Sequence, residues 1–358
     1  MARQDNLPST QTAIVAGPAG EFVISHDVPV IDLEPDAVII KTAAVALNPA
    51  DTKMVGDFVV PGAIFGFDCA GTIVAVGSAV KKDLVIGDRV CGSADGMSRL
   101  RPLGGGFAQY ASLPGDMALK IPDNVTSDAA AAYGTALASA GMALFYSLKI
   151  PATLLEEPAK IPFPVLVYGG STSTGTMAIQ LLKACGLKPI TTCSPKNFAF
   201  VKSFGAEEAF DYNSPTCAQD IKAYCKNQLA YALDCITQQQ TMKICYAAIG
   251  RVGGRYTALD PYPENQATRK IVKPDWILAT RITGKGCTWP EPYGSAPDPE
   301  LREFAHPFFG VMQKLLDEGK IRPHPARPSQ GGFEALIEGV GIIRRGEISG
   351  EKLVYRLS

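Results

Sequence analysis

Between Val165 and Gly186 the chain reads VLVYGGSTSTGTMAIQLLKACG: a short β-branched run, two glycines, four hydroxyl residues, a third glycine and a helical apolar pattern. A phosphate needs backbone N–H groups aimed at it and the positive end of a helix, and a strand, a tight turn and a helix start supply both. The usual dinucleotide fingerprint adds glycine wherever a side chain would block close approach. Gly169, Gly170 and Gly175 are present, but their spacing is not G-x-G-x-x-G. Taken alone, the stretch reads equally well as a Ser/Thr-capped turn. Ser171, Thr172, Ser173 and Thr174 nevertheless carry hydroxyls that can replace missing backbone donors.

One strand further on, TTCSPKN brings Ser194, Pro195, Lys196 and Asn197 to the place where NAD enzymes put an acidic residue, about 20 residues past the glycines, for the ribose 2′-hydroxyl. Hydroxyls and an ammonium suit a 2′-phosphate instead, so NADP(H) is the expected cofactor; the alternative is a plain solvated lysine. Tyr212, after the following strand, is placed to lie near the adenosine half or to close the core boundary.

The elements that must hold these residues alternate. From VLVYG onward, strand-like runs (KPITTCS, EAFDY, YALDCI, GGRYTAL) are separated by helix-like runs (TMAIQLLKACG, KNFAFVKSFGA, CAQDIKAYCKN, QQQTMKICYAAIG). Parallel strands need crossovers, so this rhythm predicts an α/β, doubly wound parallel sheet. Before it, AVIIKTAAVAL, AGTIVAVG, GDRVCG and FAQYASL, broken by Gly, Pro and Asp, predict a β-rich, barrel-like domain. A helix capped by Ser127 follows, then a proline-rich connection, IPATLLEEPAKIPFP. Near the end a helix is expected over Leu301–Glu318, and the tail reads as a helix and a closing strand that rejoins the first domain. The expected domains are 1–150, completed by 300–358, and 151–299.

Composition narrows the partners. With 358 residues, 46% apolar content and a formal net charge of -1, the chain can bury a large core and offers no basic field for nucleic acid or an anionic membrane. No apolar run is expected to span a bilayer, and the polar start MARQDNLPST reads as no leader, so a cytoplasmic protein is expected. Nine scattered cysteines form no closely spaced pair and read as reduced, packed thiols. His26, His306 and His324 are too dispersed for a metal cluster and read as ordinary surface or loop residues.

Taken together, GDRVCG, FAQYASLPGDMALKIPDNVTSDAAAAYGTALASAGMAL, the VLVYGG turn and GEISGEKLVYRL resemble the medium-chain dehydrogenase/reductase superfamily over nearly the whole chain. NPADTKM, VLVYGGSTSTGT, TTCSPKNF, GAEEAFDY, YALDCIT, AAIGRVGG and TWPEPYG resemble, more narrowly, the trans-acting enoyl reductases of fungal highly reducing polyketide synthases. The resemblance implies a Rossmann-type domain beside a GroES-like catalytic domain. It also marks a departure. Where the zinc-dependent branch carries a metal-binding Cys and a Gly-His-Glu, this chain has Asn48, Phe67 and Asp68, and the four-Cys structural zinc lobe is missing. The ligands that zinc needs cannot be assembled from the sequence, so no metal site is expected. Hydride addition beta to a carbonyl, with hydrogen bonds stabilising the enolate, needs none.

Residue roles follow from the resemblance. Ala50, Asp51, Thr52 and Lys53 are implied to lie beside the nicotinamide ribose, with Lys53 the first candidate for catalysis and a solvated lysine its plain alternative. Ser139 matches a family hydroxyl that can bond the thioester carbonyl or the nicotinamide. Gly141, Met142, Ala143, Leu144, Phe145, Tyr146, Ser147 and Leu148 are implied to line the acyl pocket; without the resemblance they read as core. Leu259, Ile348 and Ser349 match cofactor-facing positions, and Thr280, Arg281, Ile282, Thr283 and Gly284 are implied to border substrate. Pro290, Pro292, Pro297 and Pro299 guard an edge used for dimerisation in relatives, which predicts a monomer that docks on its synthase. The expected reaction is NADPH-dependent reduction of a polyketide enoyl thioester held by an acyl carrier protein. A quinone or small-enone reductase and a non-catalytic NADPH-binding scaffold remain the alternatives.

Overall fold

The computed structural model describes residues 7–357, so the first six residues of the polar N-terminal stretch lie outside it. The chain divides into two compact units: Met1–Thr135 with Thr280–Asp317 and Pro323–Ser358, and Ala136–Ala279 with Glu318–Arg322. Beside the expected boundaries, residues 136–150, 280–299 and 318–322 change sides. Local bonding accounts for the first two. The Ser147 hydroxyl is 2.6 Å from Asp275 and 2.7 Å from Thr257, both in the second unit. Lys285 pairs with Glu34 and Asp36 of the first.

The first unit is built on the strand Ala37–Ala46, apolar and buried along most of its length because it has neighbours on both edges. Asp68–Val76, Tyr110–Pro114 and Lys352–Arg356 all pair with it antiparallel. The tail therefore does rejoin this unit. Val354 pairs with Ala46, and Leu47 N–H bonds the Leu353 carbonyl at 3.0 Å, a register that brings the start of the last strand to Asn48.

In the second unit six parallel strands lie in the order Glu208–Asp211, Lys188–Cys193, Pro164–Tyr168, Tyr231–Asp234, Gly254–Ala258, Val272–Trp276. The first of these in sequence, Pro164–Tyr168, is central, so the strand order reverses beside it, and ligands bind at such a reversal. The sixth strand is not expected from the sequence, because Pro274 interrupts it; as an edge strand it tolerates a residue without an N–H.

Helix bounds depart from expectation in small ways. Thr126, not Ser127, caps the helix Ser127–Ala130, its hydroxyl accepting from Ala129 N–H at 3.2 Å. The chain then breaks and resumes as Gly134–Gly141; a side chain at Gly134 would meet the Gly92 carbonyl oxygen at 2.4 Å and an Asp68 oxygen at 2.6 Å, so only glycine fits there. Met142–Ser147 continues as a π-helical turn, with Leu148 N–H reaching back to the Ala143 carbonyl at 2.9 Å. Against expectation, the run Ser127–Ser147 is long and apolar enough to cross a membrane; it is mostly buried, as a core helix is. The late helix spans Pro299–Asp317. All nine cysteines are free, and burial pushes thiols such as Cys185 up to about 12. His324 is only 2% exposed and so is no surface histidine.

Candidate active site

In the first unit Asn48 opens the turn Pro49–Lys53, which is held by Asp51 N–H on the Asn48 carbonyl at 3.0 Å and by the Thr52 hydroxyl on the Pro49 carbonyl at 2.7 Å. Lys53 is exposed at its end and Ala50 half-buried. Asp51 is turned inward, 1% exposed; one carboxylate oxygen accepts Asn48 N–H at 2.6 Å and the other has no partner. Beneath the turn, Asp68 is fully buried. Its Oδ1 accepts Thr135 N–H at 2.6 Å and the Thr135 hydroxyl at 2.7 Å; its Oδ2 accepts Asn48 Nδ2 at 2.9 Å and the ammonium of Lys352. Lys352 Nζ also donates to Asn48 Oδ1 at 2.8 Å.

Desolvation raises the Asp51 carboxyl to about 8, against the opposing hydrogen bond from Asn48 N–H, because one N–H does not offset a second oxygen buried without a donor. The folded value lies above the ordinary 3.8, so the folded state holds the proton more tightly than the unfolded chain. That stability is fully present below pH 3.8 and is lost as pH rises through about 8. Thermal unfolding across this range should therefore fall with pH more steeply in the natural protein than in Asp51→Asn; parallel profiles would refute the assignment. For His324, burial and then the Lys352 charge lower the value to about 4, keeping the ring neutral beside that ammonium at neutral pH.

Elsewhere in this unit, Thr280, Arg281, Ile282, Thr283 and Gly284 form a turn in which Ile282 is buried and the Thr280 hydroxyl is buried without a partner. Arg281 lies 3.8 Å from Asp298. Ile348 is half-buried and Ser349 exposed, just before the last strand.

In the second unit the strand Pro164–Tyr168 turns at Gly169, whose φ of +83° favours glycine, into the helix Ser173–Ala184. Thr172 caps that helix, its hydroxyl accepting Gly175 N–H at 3.0 Å. A side chain at Gly175 would strike the Gly169 carbonyl oxygen at 2.4 Å, so this glycine serves close packing of helix on strand. Ser171 and Thr174 are half-buried at the same end, and the Ser173 hydroxyl is buried with no partner. At the end of the neighbouring strand, Ser194 opens the turn Pro195–Asn197; Lys196 is exposed, and the Ser194 hydroxyl is 3.0 Å from that of Tyr212. Ser171 to Thr174, Ser194 to Asn197 and Tyr212 thus follow three adjacent strand ends. Leu259 N–H is held by the Thr237 hydroxyl at 3.1 Å after a strand on the far side of the central one. Ser139 is buried within its helix, and the residues from Gly141 to Leu148 are buried except Tyr146.

Comparison with known proteins places this geometry. The profile of the Alcohol dehydrogenase GroES-like domain matches residues 34–123, and that of the Zinc-binding dehydrogenase family residues 173–304. The chain is 64% identical to Trans-enoyl reductase buaC of Petromyces alliaceus over 355 residues, 99% of either chain. The chain belongs to the trans-enoyl reductases. Among solved structures, this trans-enoyl reductase has the fold of an alcohol dehydrogenase superfamily protein from Novosphingobium aromaticivorans (TM-score 0.76, 21% identity, 98% and 100% of the chains covered). It shares it also with CurK enoyl reductase (TM-score 0.72, 18% identity, 97% and 99% covered).

A nicotinamide cofactor fits the strand ends of this trans-enoyl reductase, where the orphaned Ser173 hydroxyl stands at a helix start. Zinc does not fit the positions it takes in the zinc-dependent branch. Phe67 packs its ring edge-on to Trp289, centroids 5.9 Å apart; the Lys352 ammonium takes Asn48 Oδ1 and Asp68 Oδ2, and Thr135 takes Asp68 Oδ1. Among the described residues no group of three or more His, Cys, Asp or Glu side chains could hold a metal ion. Lys352 is the residue that the sequence does not announce. A lysine opening a tail strand reads as solvated, and only the pairing of that strand with Ala37–Ala46 buries it.

Proposed function

We propose that this trans-enoyl reductase uses NADPH to reduce the α,β-unsaturated thioester of a polyketide intermediate held on the carrier protein of a highly reducing polyketide synthase. The observation that carries the reading is the 64% identity to a trans-enoyl reductase over 99% of both chains. Preference for NADPH is supported by Ser194 and Lys196, which meet the position of the ribose 2′-substituent with a hydroxyl and an ammonium and no carboxylate.

When bound, the reduced nicotinamide supplies a hydride to the β-carbon. The chain's own residues do the remainder. Ser171 to Thr174 and the start of the helix Ser173–Ala184 hold phosphate, with Tyr212 and Leu259 beside the adenosine and nicotinamide halves. Lys53 meets the negative charge that grows on the thioester carbonyl oxygen and returns a proton. Ser139 is assigned a hydrogen bond to the thioester carbonyl or to the nicotinamide. The segments from Gly141 to Leu148 and from Thr280 to Gly284 are assigned to the acyl chain. The hydroxyl of Ser147 is spent on Asp275 and Thr257, so its part in this lining is steric.

The protein acts in the cytoplasm as a monomer. Pro274 on the edge strand of the parallel sheet removes a ladder donor, which supports an unpaired edge. Light scattering should give the mass of one chain; twice that mass would refute this part. For the activity, thioesters of graded length are mixed with protein and NADPH while cofactor absorbance is followed. Carrier-bound enoyl chains should be reduced well ahead of free enones, and equal or faster reduction of free enones would overturn the reading. For the cofactor, Lys196→Glu should lower the preference for NADPH over NADH by about tenfold or more, the loss of one charge-assisted hydrogen bond. An unchanged ratio of kcat/KM values would leave Lys196 a solvated lysine.

A further inference from the structure

Lys352 is a lysine with 5% exposure, and its ammonium donates to Asn48, which opens the Pro49–Lys53 turn, and to Asp68 beneath it. Asn48 is clamped on both sides of its amide. Its Oδ1 accepts from Lys352 and its Nδ2 donates to Asp68, a pairing that leaves the amide one orientation. The backbone of the same residue starts the turn, giving its N–H to Asp51 and its carbonyl to Asp51 N–H. Asp68 is in turn fixed from its other oxygen by both donors of Thr135, and the close approach of that segment is possible because residue 134 has no side chain. The ion pair is therefore held at three points, and Asn48 links it to the turn that ends in the exposed Lys53.

We propose that Lys352 is a positioning residue: its ammonium, held by Asn48 and Asp68 at the positions of the Cys and Glu of the zinc-dependent branch, serves as the fixed cation that sets the turn presenting Lys53. A buried carboxylate and a buried amide oxygen need a donor between them. A lysine on a strand that must pair with Ala37–Ala46 in one register supplies it without loading from solution. This rests on the reading of Pro49–Lys53 as the turn that faces cofactor and thioester.

The test compares the natural protein with Lys352→Met, Lys352→Met/Asp68→Asn, whose side-chain oxygen still accepts from Thr135, and Asn48→Ala. Thermal unfolding, amide hydrogen exchange of the Pro49–Lys53 peptide without substrate, and steady-state kinetics are read for each. Lys352→Met strands a buried carboxylate and should lose stability, whereas the double variant removes both charges and should regain most of it. Despite that recovery, exchange across the turn should quicken, and kcat and kcat/KM should fall together by about tenfold, as for an interaction felt only in the transition state. A double variant that regains stability with natural exchange and natural kcat would reduce the pair to a stability device and overturn the proposal. If the double variant does not fold, Asn48→Ala decides, since it cuts the link and leaves the ion pair; natural exchange and kcat in it are equally fatal. Exchange needs no substrate, so a natural protein inert toward thioesters sinks the functional reading while the effect of Lys352 on the turn is still measured.

Discussion

Lys53→Met should slow the reduction of a carrier-bound enoyl thioester about 100-fold, the contribution of a positioned acid. The side chain stands exposed at the end of a short turn whose own bonds, Asp51 N–H to the Asn48 carbonyl and the Thr52 hydroxyl to the Pro49 carbonyl, do not involve it. Because it is exposed, removing it creates no cavity. On the role proposed for Lys53, what disappears is the cation facing the enolate oxygen and the proton that completes the saturated product. Lys53→Arg separates these parts: it keeps the charge but parts with its proton far less readily. Single-turnover NADPH oxidation checks the step directly. A Lys53→Met rate equal to the natural rate would return Lys53 to the status of a solvated lysine and leave Ser139 as the first donor to examine.

Asp68→Ala should destabilise its unit by about 3–5 kcal/mol, because it leaves the Lys352 ammonium buried without its counter-ion. Thr135 loses the acceptor of both its donors in the same change, and Asn48 loses the partner of its amide nitrogen. Asp68→Asn should lose less, since its Oδ1 still accepts from Thr135. Urea unfolding of the three proteins, followed by tryptophan fluorescence, is the measurement. With Trp276 of the other unit replaced by Phe in all three, the signal comes from Trp289, which belongs to the same unit as Asp68 and packs against Phe67. Equal midpoints for the natural protein and Asp68→Ala would mean that water, not the protein, compensates Lys352.

The parallel sheet is legible in the sequence because each strand and helix there carries its own period: β-branched runs of about the strand length alternate with apolar positions at helical spacing. The same is true of the turn proposed to hold the cofactor. A strand end, glycines and hydroxyls are contiguous in sequence, so Ser171 to Thr174 and Ser194 to Asn197 can be found without folding the chain. Val272–Trp276 escapes because Pro274 contradicts the local strand signal, and only the edge position makes it acceptable. The cap of the first helix shifts by one residue, to Thr126, because Thr and Ser are both competent caps and only backbone geometry separates them.

The buried cluster is different in kind. Asn48, Asp68, Thr135 and Lys352 are separated by up to 304 positions along the chain, and none of them carries a local sign of its partner. Sequence by itself determined the fold class, the family, and where hydroxyl and cationic groups follow the strand ends, all of which depend on short-range pattern. Tertiary structure alone decided that a tail lysine would be buried against Asp68, that Asp51 would hold its proton, and that His324 would be neutral. Those outcomes depend on desolvation and on strand register, which exist only once distant segments have packed.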